Sequence, residues 1–266
     1  MKKQITALCT IFILMISVGF VVAGKNQQQK QDKEFSLPEN AKEVAPGVFY
    51  LGKSFDKGKF VEGYAFLMKE GEAKKARPSK DSSCYTLLAR EAKWKTVEDY
   101  IFDPMNNEGL GEIFLRSTFF SSVNKWEIAA GTTSILGYET SGTVDGADFQ
   151  ATDGKNEIMF EDLGETNTIA FTIVWGLFGG PPFARELVEW DMVFNDNYVW
   201  ADAMYSTSGV MDFENIATHE LGHAVGLGDL YNKKCAEQTM FGYATESEIK
   251  KRTLESGDIT GIQTLY

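Results

Sequence analysis

The feature of this sequence that most restricts its structure is a short segment near the C-terminus, His219-Glu220-Leu221-Gly222-His223. Asp212 is a favourable N-cap for a helix that runs through this segment to about Val225. Residues four apart on a helix lie one turn above the other, so His219 and His223 present their imidazoles on the same side. Two imidazoles in this arrangement can bind one metal ion, at about 2.0–2.1 Å each for zinc.

Glu220 directly follows the first histidine and therefore points away from the line of the two imidazoles. From there its carboxylate can reach a water activated by the metal without binding the metal itself. The cation lowers the pKa of water toward neutrality, and Glu220 can accept the proton and later pass one to a leaving amine. The chain has only two histidines. Composition alone would place both at this spacing, with Glu after the first, on the order of once in a thousand. The segment therefore predicts a hydrolytic metal site.

A catalytic zinc needs a third protein ligand and one open position. Because the sequence has no third histidine, this ligand must be a carboxylate or a cysteine, and we consider Asp229, Cys235 and Cys84. In an unbroken helix Asp229 would lie about 15 Å beyond His219 along the axis. Gly226 can end the helix in a left-handed conformation and fold the chain back, which makes Asp229 the first candidate.

The order His-Glu-x-x-His-x-x-Gly-x-x-Asp over residues 219–229 resembles the metzincin metallopeptidases, and among them the matrixins, whose usual third ligand is histidine. Thr239-Met240-Phe241-Gly242-Tyr243 is similar to the family's Met-turn. The resemblance implies that Met240 forms an apolar floor beneath the histidines, where the alternative is an ordinary core methionine. Tyr243 either lines the site, as a substrate or oxyanion contact, or is simply packed. The likeness covers roughly residues 84–266.

Helical and strand patterns alternate along the chain, which favours a sheet with helices packed on it. Residues 111–130 show helical spacing, Thr168–Trp175 and Leu187–Asn195 predict strands, and Ser256 can cap a last helix. We expect an α/β (α+β) fold with two long helices and a C-terminal helix. The resemblance implies a twisted, mixed, mostly parallel sheet with an antiparallel edge strand above the cleft. Thr168–Trp175 is the candidate for that edge, and an extended substrate could pair with it by strand addition.

The first residues are typical of an export signal. Lys2 and Lys3 precede an uncharged run from Ile5 to Gly24, and Val21-Val22-Ala23 offers small residues for cleavage. These features predict a signal peptide over residues 1–23 and a secreted, extracellular protein. If the leader stayed uncleaved, its run of about 20 apolar residues would instead anchor the chain in a membrane.

Three segments are expected along the chain. After the signal peptide, residues 24–80 are predicted to form a spacer and a small β-rich N-terminal addition or pro-segment. Two short strands in it, within residues 46–52 and 60–67, are joined through Asp56-Lys57-Gly58. The matrixin-like metallopeptidase domain is expected to occupy residues 81–266.

Removal of the leader would also remove Cys9, which leaves Cys84 and Cys235 as an even pair. In an exported protein such a pair most simply forms one disulfide, and the alternative is two separate buried thiols. The sequence lacks the Pro-Arg-Cys-Gly segment by which matrixins place a cysteine on zinc. We therefore expect Cys84 to pair with Cys235 and not to contact the metal.

Charge and residue counts limit the partners. The formal net charge of -12 opposes nucleic-acid binding, which needs clustered Lys and Arg. We expect a protein or peptide substrate, a monomer, and one catalytic Zn²⁺. A second, histidine-bound zinc is excluded because both histidines are used. The resemblance leaves room for structural Ca²⁺, and the candidate ligands are Asp145, Asp148, Asp153, Asp196 and Asp202.

The predicted function is that of a secreted zinc-dependent endopeptidase with Glu220 as general base. One alternative is a zinc-binding extracellular interaction module without hydrolytic activity, and another is a metal-dependent hydrolase of non-peptide bonds. A purely structural zinc would be closed by four ligands and would need no base, so the presence of Glu220 favours hydrolysis.

Overall fold

The computed structural model describes residues 35–71, 83–132, 135–164, 166–206 and 209–266. The predicted signal peptide and the first part of the predicted spacer lie outside the described residues. Within these ranges, no helix has both the length and the apolar composition needed to cross a bilayer.

The described chain contains strands and helices in alternation, as the sequence patterns predict. The strands are β1 (Lys42–Ala45), β2 (Val48–Asp56), β3 (Lys59–Glu70), β4 (Glu98–Phe102), β5 (Leu136–Glu139), β6 (Glu157–Glu161), β7 (Thr168–Leu177), β8 (Glu186–Asn195), β9 (Trp200–Ala201), β10 (Met211–Asp212) and β11 (Tyr243–Ala244). The α-helices are α1 (Glu112–Ala130), α2 (Phe213–Ala224) and α3 (Ser256–Leu265).

One mixed sheet contains most of these strands, in the order β1-β2-β3-β7-β8-β6-β4-β5, with β11 paired to β3. The pairings from β8 to β5 are parallel, and those from β1 to β8 are antiparallel. The short strands β9 and β10 pair with each other. The predicted fold class, a mixed sheet with two long helices and a C-terminal helix, is confirmed.

The prediction that Thr168–Trp175 forms the edge of the sheet is wrong. Strand β7, which contains this segment, pairs with β8 on one side and with β3 on the other. The pairing with β3 is antiparallel and runs from Glu62 opposite Gly176 to Lys69 opposite Thr168. The apolar pattern of β7 shows that its faces are buried, but strand neighbours are joined by backbone hydrogen bonds, which a side-chain pattern does not specify.

The sheet buries both of its faces. On the face that carries the helices, the core includes Phe119, Trp126, Trp190, Met192, Phe194 and Leu221. On the opposite face a second core includes Leu51, Val61, Leu67, Phe171, Trp175 and Val193. Because side chains alternate along a strand, β3 supplies Leu67 to one core and Phe66 and Met68 to the other.

The helix ends follow capping chemistry, with one difference from the prediction. The Asp212 carboxylate accepts a hydrogen bond from the Asn215 amide at 2.8 Å, as expected for the N-cap of α2. For α3 the N-cap is Glu255 and not Ser256. Glu255 and Asp258 each accept a hydrogen bond from the other's backbone amide, and this reciprocal pair satisfies two helix-end donors where a serine hydroxyl would satisfy one.

Cys84 and Cys235 form a disulfide between residues 151 positions apart, with their Cα atoms 5.3 Å from each other. This agrees with the predicted pairing. Closing so long a loop restricts the unfolded chain, which in the entropy model stabilises the folded state by roughly 3–5 kcal/mol. Since both sulfur atoms are used in the bond, neither cysteine is available as the third metal ligand.

Candidate metal centre

Helix α2 and the chain that follows it bring the three predicted ligands together. The Asp229 Oδ1 atom lies 3.3 Å from His219 Nε2 and 3.6 Å from His223 Nε2. All three side chains are buried, and their ligand atoms lie within 4.8 Å of one another. The structure therefore forms the predicted constellation of two histidines and one aspartate.

The return of the chain depends on Gly226. Helix α2 ends at Ala224, and Gly226 adopts a φ of +105°, a conformation that side chains disfavour. A Cβ atom on this residue would also lie 3.0 Å from the Ala92 carbonyl oxygen and 3.0 Å from the Leu265 Cδ1 atom. A glycine is thus required for both the backbone conformation and the close packing that direct Asp229 back to the histidines.

Four polar atoms at this site have no hydrogen-bond partner among the described residues. They are the Nε2 atoms of His219 and His223, the Oδ1 atom of Asp229 and the Oε1 atom of Glu220, and all four are buried. A buried polar atom without a partner typically costs about 1–3 kcal/mol. The atoms of His219, His223 and Asp229 fit the donor set of a bound cation such as zinc, and the Glu220 oxygen lies beside them.

Backbone carbonyls set the tautomer of both histidines. The Nδ1 atom of His219 lies 2.7 Å from the Thr239 carbonyl oxygen, and that of His223 lies 2.9 Å from the Leu227 carbonyl oxygen. A carbonyl oxygen can only accept, so each Nδ1 carries a proton and donates it. This leaves the Nε2 lone pairs free to face Asp229, the arrangement that a metal-binding histidine needs.

The charges of the three side chains are coupled. Burial would raise the pKa of Asp229, but His223 and His219 together hold it below its usual value. Burial would lower the pKa of His223, but the Asp229 carboxylate raises it, whereas for His219 burial prevails and lowers the pKa. Protons and a cation would compete for the same nitrogen atoms, so metal binding at this site must weaken in acid.

Glu220 lies beside the three ligands and is held by β7. Its Oε2 atom accepts a hydrogen bond from the Thr172 hydroxyl at 2.6 Å. Burial raises the pKa of Glu220 to about 8, against the lowering effects of His223 and Thr172. A carboxylate with a pKa near neutrality suits proton transfer in both directions. Thr172 was not among the predicted site residues, because its only signal in the sequence is a hydroxyl in the middle of an apolar run.

Met240 packs against helix α2 below the two histidines. It is fully buried, and a Cβ atom on Gly222, between the two histidines of α2, would overlap the Met240 Sδ atom. The turn is held by Asp258, whose carboxylate accepts hydrogen bonds from the backbone amides of Thr239 at 2.8 Å and Met240 at 3.1 Å. The positioning role of Asp258 was missed, because a first-turn aspartate in the sequence indicates only a helix start.

The contact between Gly222 and Met240 predicts a stability effect. We expect Gly222→Ala to lower the free energy of unfolding by about 1–3 kcal/mol, the usual cost of overpacking. The added methyl would overlap Met240 and approach the Trp126 Cζ2 atom to 2.9 Å. Urea unfolding measures the change. The matched control is Gly179→Ala, where a Cβ meets nothing within 4 Å; equal stabilities of the two variants would contradict the prediction.

Two tyrosines lie near the third ligand. The Tyr231 hydroxyl is 3.0 Å from the Asp229 Oδ2 atom, which fixes the orientation of that carboxylate. Tyr231 was missed by sequence analysis, in which it carried no motif. The Tyr243 ring packs against the rings of Tyr231 and Phe241, with centroids 5.7 and 6.1 Å apart. A substrate or oxyanion contact by Tyr243 stays a prediction.

Of the candidate calcium ligands, Asp145, Asp148 and Asp153 lie in two acidic groups that share Asp153. Asp145 and Asp153 join Glu157 around the Lys155 ammonium, at 2.8, 2.7 and 3.4 Å from its Nζ atom. A second group consists of Asp148, Asp153 and the buried Glu189, whose Oε1 atom lacks a hydrogen-bond partner within the described ranges.

The other two candidates lie in different contacts. Asp202 pairs with Arg252 at 2.6 Å, and Asp196 accepts a hydrogen bond from the Asn107 amide at 2.9 Å. Among the residues that the structure describes, neither lies in a group of three side chains close enough together to hold one metal ion. Glu157 and Glu189 were not predicted as calcium ligands, because they lie at the start of β6 and within β8 and gave no loop-like signal.

Comparison with known proteins agrees with this geometry. The sequence model of the matrixin family, described as Peptidase M10, matches residues 121–266, which is more than half of the chain. The chain is also similar to Metalloendoproteinase 2-MMP of Arabidopsis thaliana, with 29% identity over 187 residues. That alignment covers 68% of this chain and 45% of the plant protein, so the chain spans less than half of its relative. The chain belongs to the matrixin family of zinc metallopeptidases.

Proposed function

We propose that this protein is a secreted zinc-dependent endopeptidase, with His219, His223 and Asp229 as the zinc ligands and Glu220 as the general base. The observation that carries the proposal is the convergence of four buried, unpartnered polar atoms from these four residues. The family of the chain supports the peptidase class. The Asp229 ligand and the role of Glu220 are inferred from the geometry.

Each residue has a distinct task in this proposal. A zinc ion held by His219, His223 and Asp229 would supply a Lewis acid that makes water nucleophilic at neutral pH. Glu220 accepts the proton from the attacking water and returns one to the amine of the departing peptide. Thr172 holds one oxygen of Glu220, so that the unpartnered oxygen is the one left to take the proton. Thr239 and Leu227 hold the histidine rings through their carbonyl groups.

The third ligand distinguishes this site from the usual matrixin pattern of three histidines. An aspartate adds a negative charge next to the cation, so the site with Asp229 is less positive than one with three neutral imidazoles. A less positive site acidifies water less strongly.

Secretion is part of the proposal and rests on two observations. The first is the leader-like sequence of residues 1–23. The second is the Cys84–Cys235 disulfide, because disulfides persist in oxidising compartments outside the cytosol. The alternative in which the leader stays attached would place the same domain at a membrane surface.

Calcium is the second cofactor that the proposal includes. Of the two acidic groups, we infer that the one formed by Asp148, Asp153 and Glu189 binds it. In the other group all three carboxylates contact the Lys155 ammonium, whereas in this group only Asp153 does and Glu189 has a buried, unpartnered oxygen. Oxygen ligands from carboxylates are those that calcium prefers.

The proposal is tested by measuring metal content and cleavage together. We expect the purified protein to bind one zinc ion and to cut peptides from a mixed library at internal bonds, with loss of cleavage on chelation and recovery on addition of zinc. Mass spectrometry of the products gives the cleavage preference. Full zinc occupancy without cleavage would instead support the interaction module. Cleavage of other bonds alone would support a non-peptide hydrolase.

A further inference from the structure

Two neighbouring turns at one end of the mixed sheet carry large apolar side chains that face solvent. The first turn joins β2 to β3, where Phe55 is 63% and Phe60 is 71% exposed. The second joins β7 to β8, where Phe183 is 80% exposed. Because β3 and β7 are adjacent antiparallel strands, the two turns lie at the same end of the sheet. We call Phe55, Phe60 and Phe183, with the turns that carry them, the aromatic tip.

The geometry of the first turn directs its two rings away from the core. Phe55 and Phe60 are cross-strand partners, with ring centroids 5.1 Å apart. Between them Lys57 and Gly58 have φ angles of 43° and 86°, as in the tight two-residue turns that are typical of hairpins. The pairing of β3 with β7 begins only at Glu62, so both rings lie beyond it and project from the end of the sheet.

The second turn is joined to the first by ion pairs. The Glu186 carboxylate contacts the ammonium of Lys59 in the first turn, and it lies 3.3 Å from the Lys95 Nζ atom. Lys95 also donates a hydrogen bond to the Phe183 carbonyl oxygen at 3.2 Å. The three exposed rings therefore belong to one continuous surface.

Cationic side chains surround these rings. They are Lys53, Lys57, Lys59, Lys95 and Arg185. Five cations and the three carboxylates of Asp56, Glu62 and Glu186 give this region a net charge of +2, whereas the whole chain has a formal net charge of -12. The aromatic tip is thus a cationic, apolar projection on a strongly acidic protein.

This combination fits the surface of an anionic membrane. Aromatic rings favour the boundary between lipid headgroups and acyl chains. Cations beside them attract anionic headgroups, and each cation near the surface strengthens binding by about fivefold. Rings on projecting turns can enter lipid without the matching cavity that a protein partner would have to supply. The acidic remainder of the chain would be repelled by the same membrane, so that only this end can approach it.

We propose that the aromatic tip binds the surface of an anionic phospholipid membrane, with its three rings in the headgroup region. The inference goes beyond the proposed peptidase function and does not depend on it. Phe60 precedes Phe66 by six residues of β3, or about 20 Å. The Phe66 ring stacks on the His223 imidazole, with centroids 4.4 Å apart. Binding through the tip would therefore hold the metal centre about 20 Å from the lipid.

A tryptophan at the tip reports entry into lipid. The five native tryptophans are all buried, so quenchers in a membrane should affect them little. Phe60→Trp adds an exposed one, and tryptophan suits both a strand and a membrane interface. We expect vesicles of equal parts phosphatidylglycerol and brominated phosphatidylcholine to quench the added fluorescence. Vesicles of brominated phosphatidylcholine alone should leave it unchanged.

Two further variants measure how the tip contributes to affinity, by sedimentation with the phosphatidylglycerol vesicles in 0.1 M salt. Phe55→Thr combined with Phe60→Thr keeps strand-forming residues and should weaken binding by about tenfold or more, because two rings no longer enter lipid. Lys57→Asn keeps a residue that this turn favours and should weaken binding by about fivefold, the contribution of one cation.

Matched controls make the same exchanges elsewhere on the surface. Ile113→Thr combined with Ile128→Thr removes two exposed apolar side chains from α1, and Lys234→Asn removes an exposed lysine. These controls should bind the vesicles as the parent does. Every form is expressed as the full chain and purified after export, so that all have the same N-terminus.

The outcomes separate a membrane from other partners. Absence of vesicle binding by the parent, or equal binding by the parent and the double phenylalanine variant, overturns the inference. If the parent instead sediments as a dimer that the double variant cannot form, and ignores vesicles, the partner is a second copy of this chain and the inference is wrong. Should the double variant fail to fold, Phe60→Trp and Lys57→Asn decide. No measurement uses peptide hydrolysis, so failure of the proposed peptidase function would leave these results unchanged.

Discussion

Replacing Glu220 by glutamine is expected to abolish most peptide hydrolysis while zinc stays bound. Glutamine keeps an oxygen that can accept the hydrogen bond from Thr172, but it cannot take a proton from water. Loss of a general base typically reduces kcat by about 10²–10⁴-fold. The KM for peptides should change little, since Glu220 is not proposed to bind the peptide. Steady-state kinetics and elemental analysis of the same samples measure both parts.

The matched control for this substitution is Glu127→Gln. Glu127 is also a buried glutamate, but it lies in α1 and accepts hydrogen bonds from the amides of Ile135 and Leu136. Its replacement should leave kcat within about twofold of the parent, as expected of a group outside the reaction. Both variants are compared with the parent chain under the same conditions. A Glu220→Gln protein that hydrolyses at the rate of the parent would show that another group is the base.

Asp229→Ala is expected to cause the largest loss of zinc affinity. Substitution of an outer hydrogen-bond partner of a ligand typically costs about 10–100-fold in metal affinity, and loss of a ligand itself should exceed this. The two histidines would remain, held by their carbonyl partners, but they would lack the carboxylate that lies 3.3 and 3.6 Å from their Nε2 atoms. Competition with a zinc-binding dye measures the dissociation constant.

Asp229→His serves as the rescue variant, because histidine is the usual third ligand of the matrixins that the motif resembles. We expect it to bind zinc far more tightly than the alanine variant. The pKa of His223 gives a second readout by NMR titration of the zinc-free protein. Asp229 raises this pKa, so in Asp229→Ala it should fall and His223 should lose its proton at lower pH. Undiminished zinc binding by the alanine variant would assign the third ligand elsewhere.

Local sequence patterns predicted the elements that carry the metal centre. The two histidines four apart needed only helical geometry, and Asp212 supplied the start of that helix. Gly226 predicted the turn that returns Asp229 to the histidines, because few other residues adopt a φ of +105°. The supporting residues Thr172, Tyr231 and Asp258 could not be predicted in the same way. The hydrogen bonds of Thr172 and Asp258 join residues 48 and 19 positions apart, and Tyr231, two residues after Asp229, belongs to no motif.

What the sequence by itself determined is the chemistry of the site and the class of the fold, because helix periodicity, capping and glycine conformation act over a few neighbouring residues. Only the tertiary structure decided what lies next to the metal centre. The pattern of β3 predicts a strand, but its place beside β7 depends on backbone hydrogen bonds and on a core that both strands share. Those interactions form between residues more than 90 positions apart, as in the pairing of Lys69 with Thr168. For this reason the sequence indicated an open cleft, whereas the fold closes it with part of its own chain.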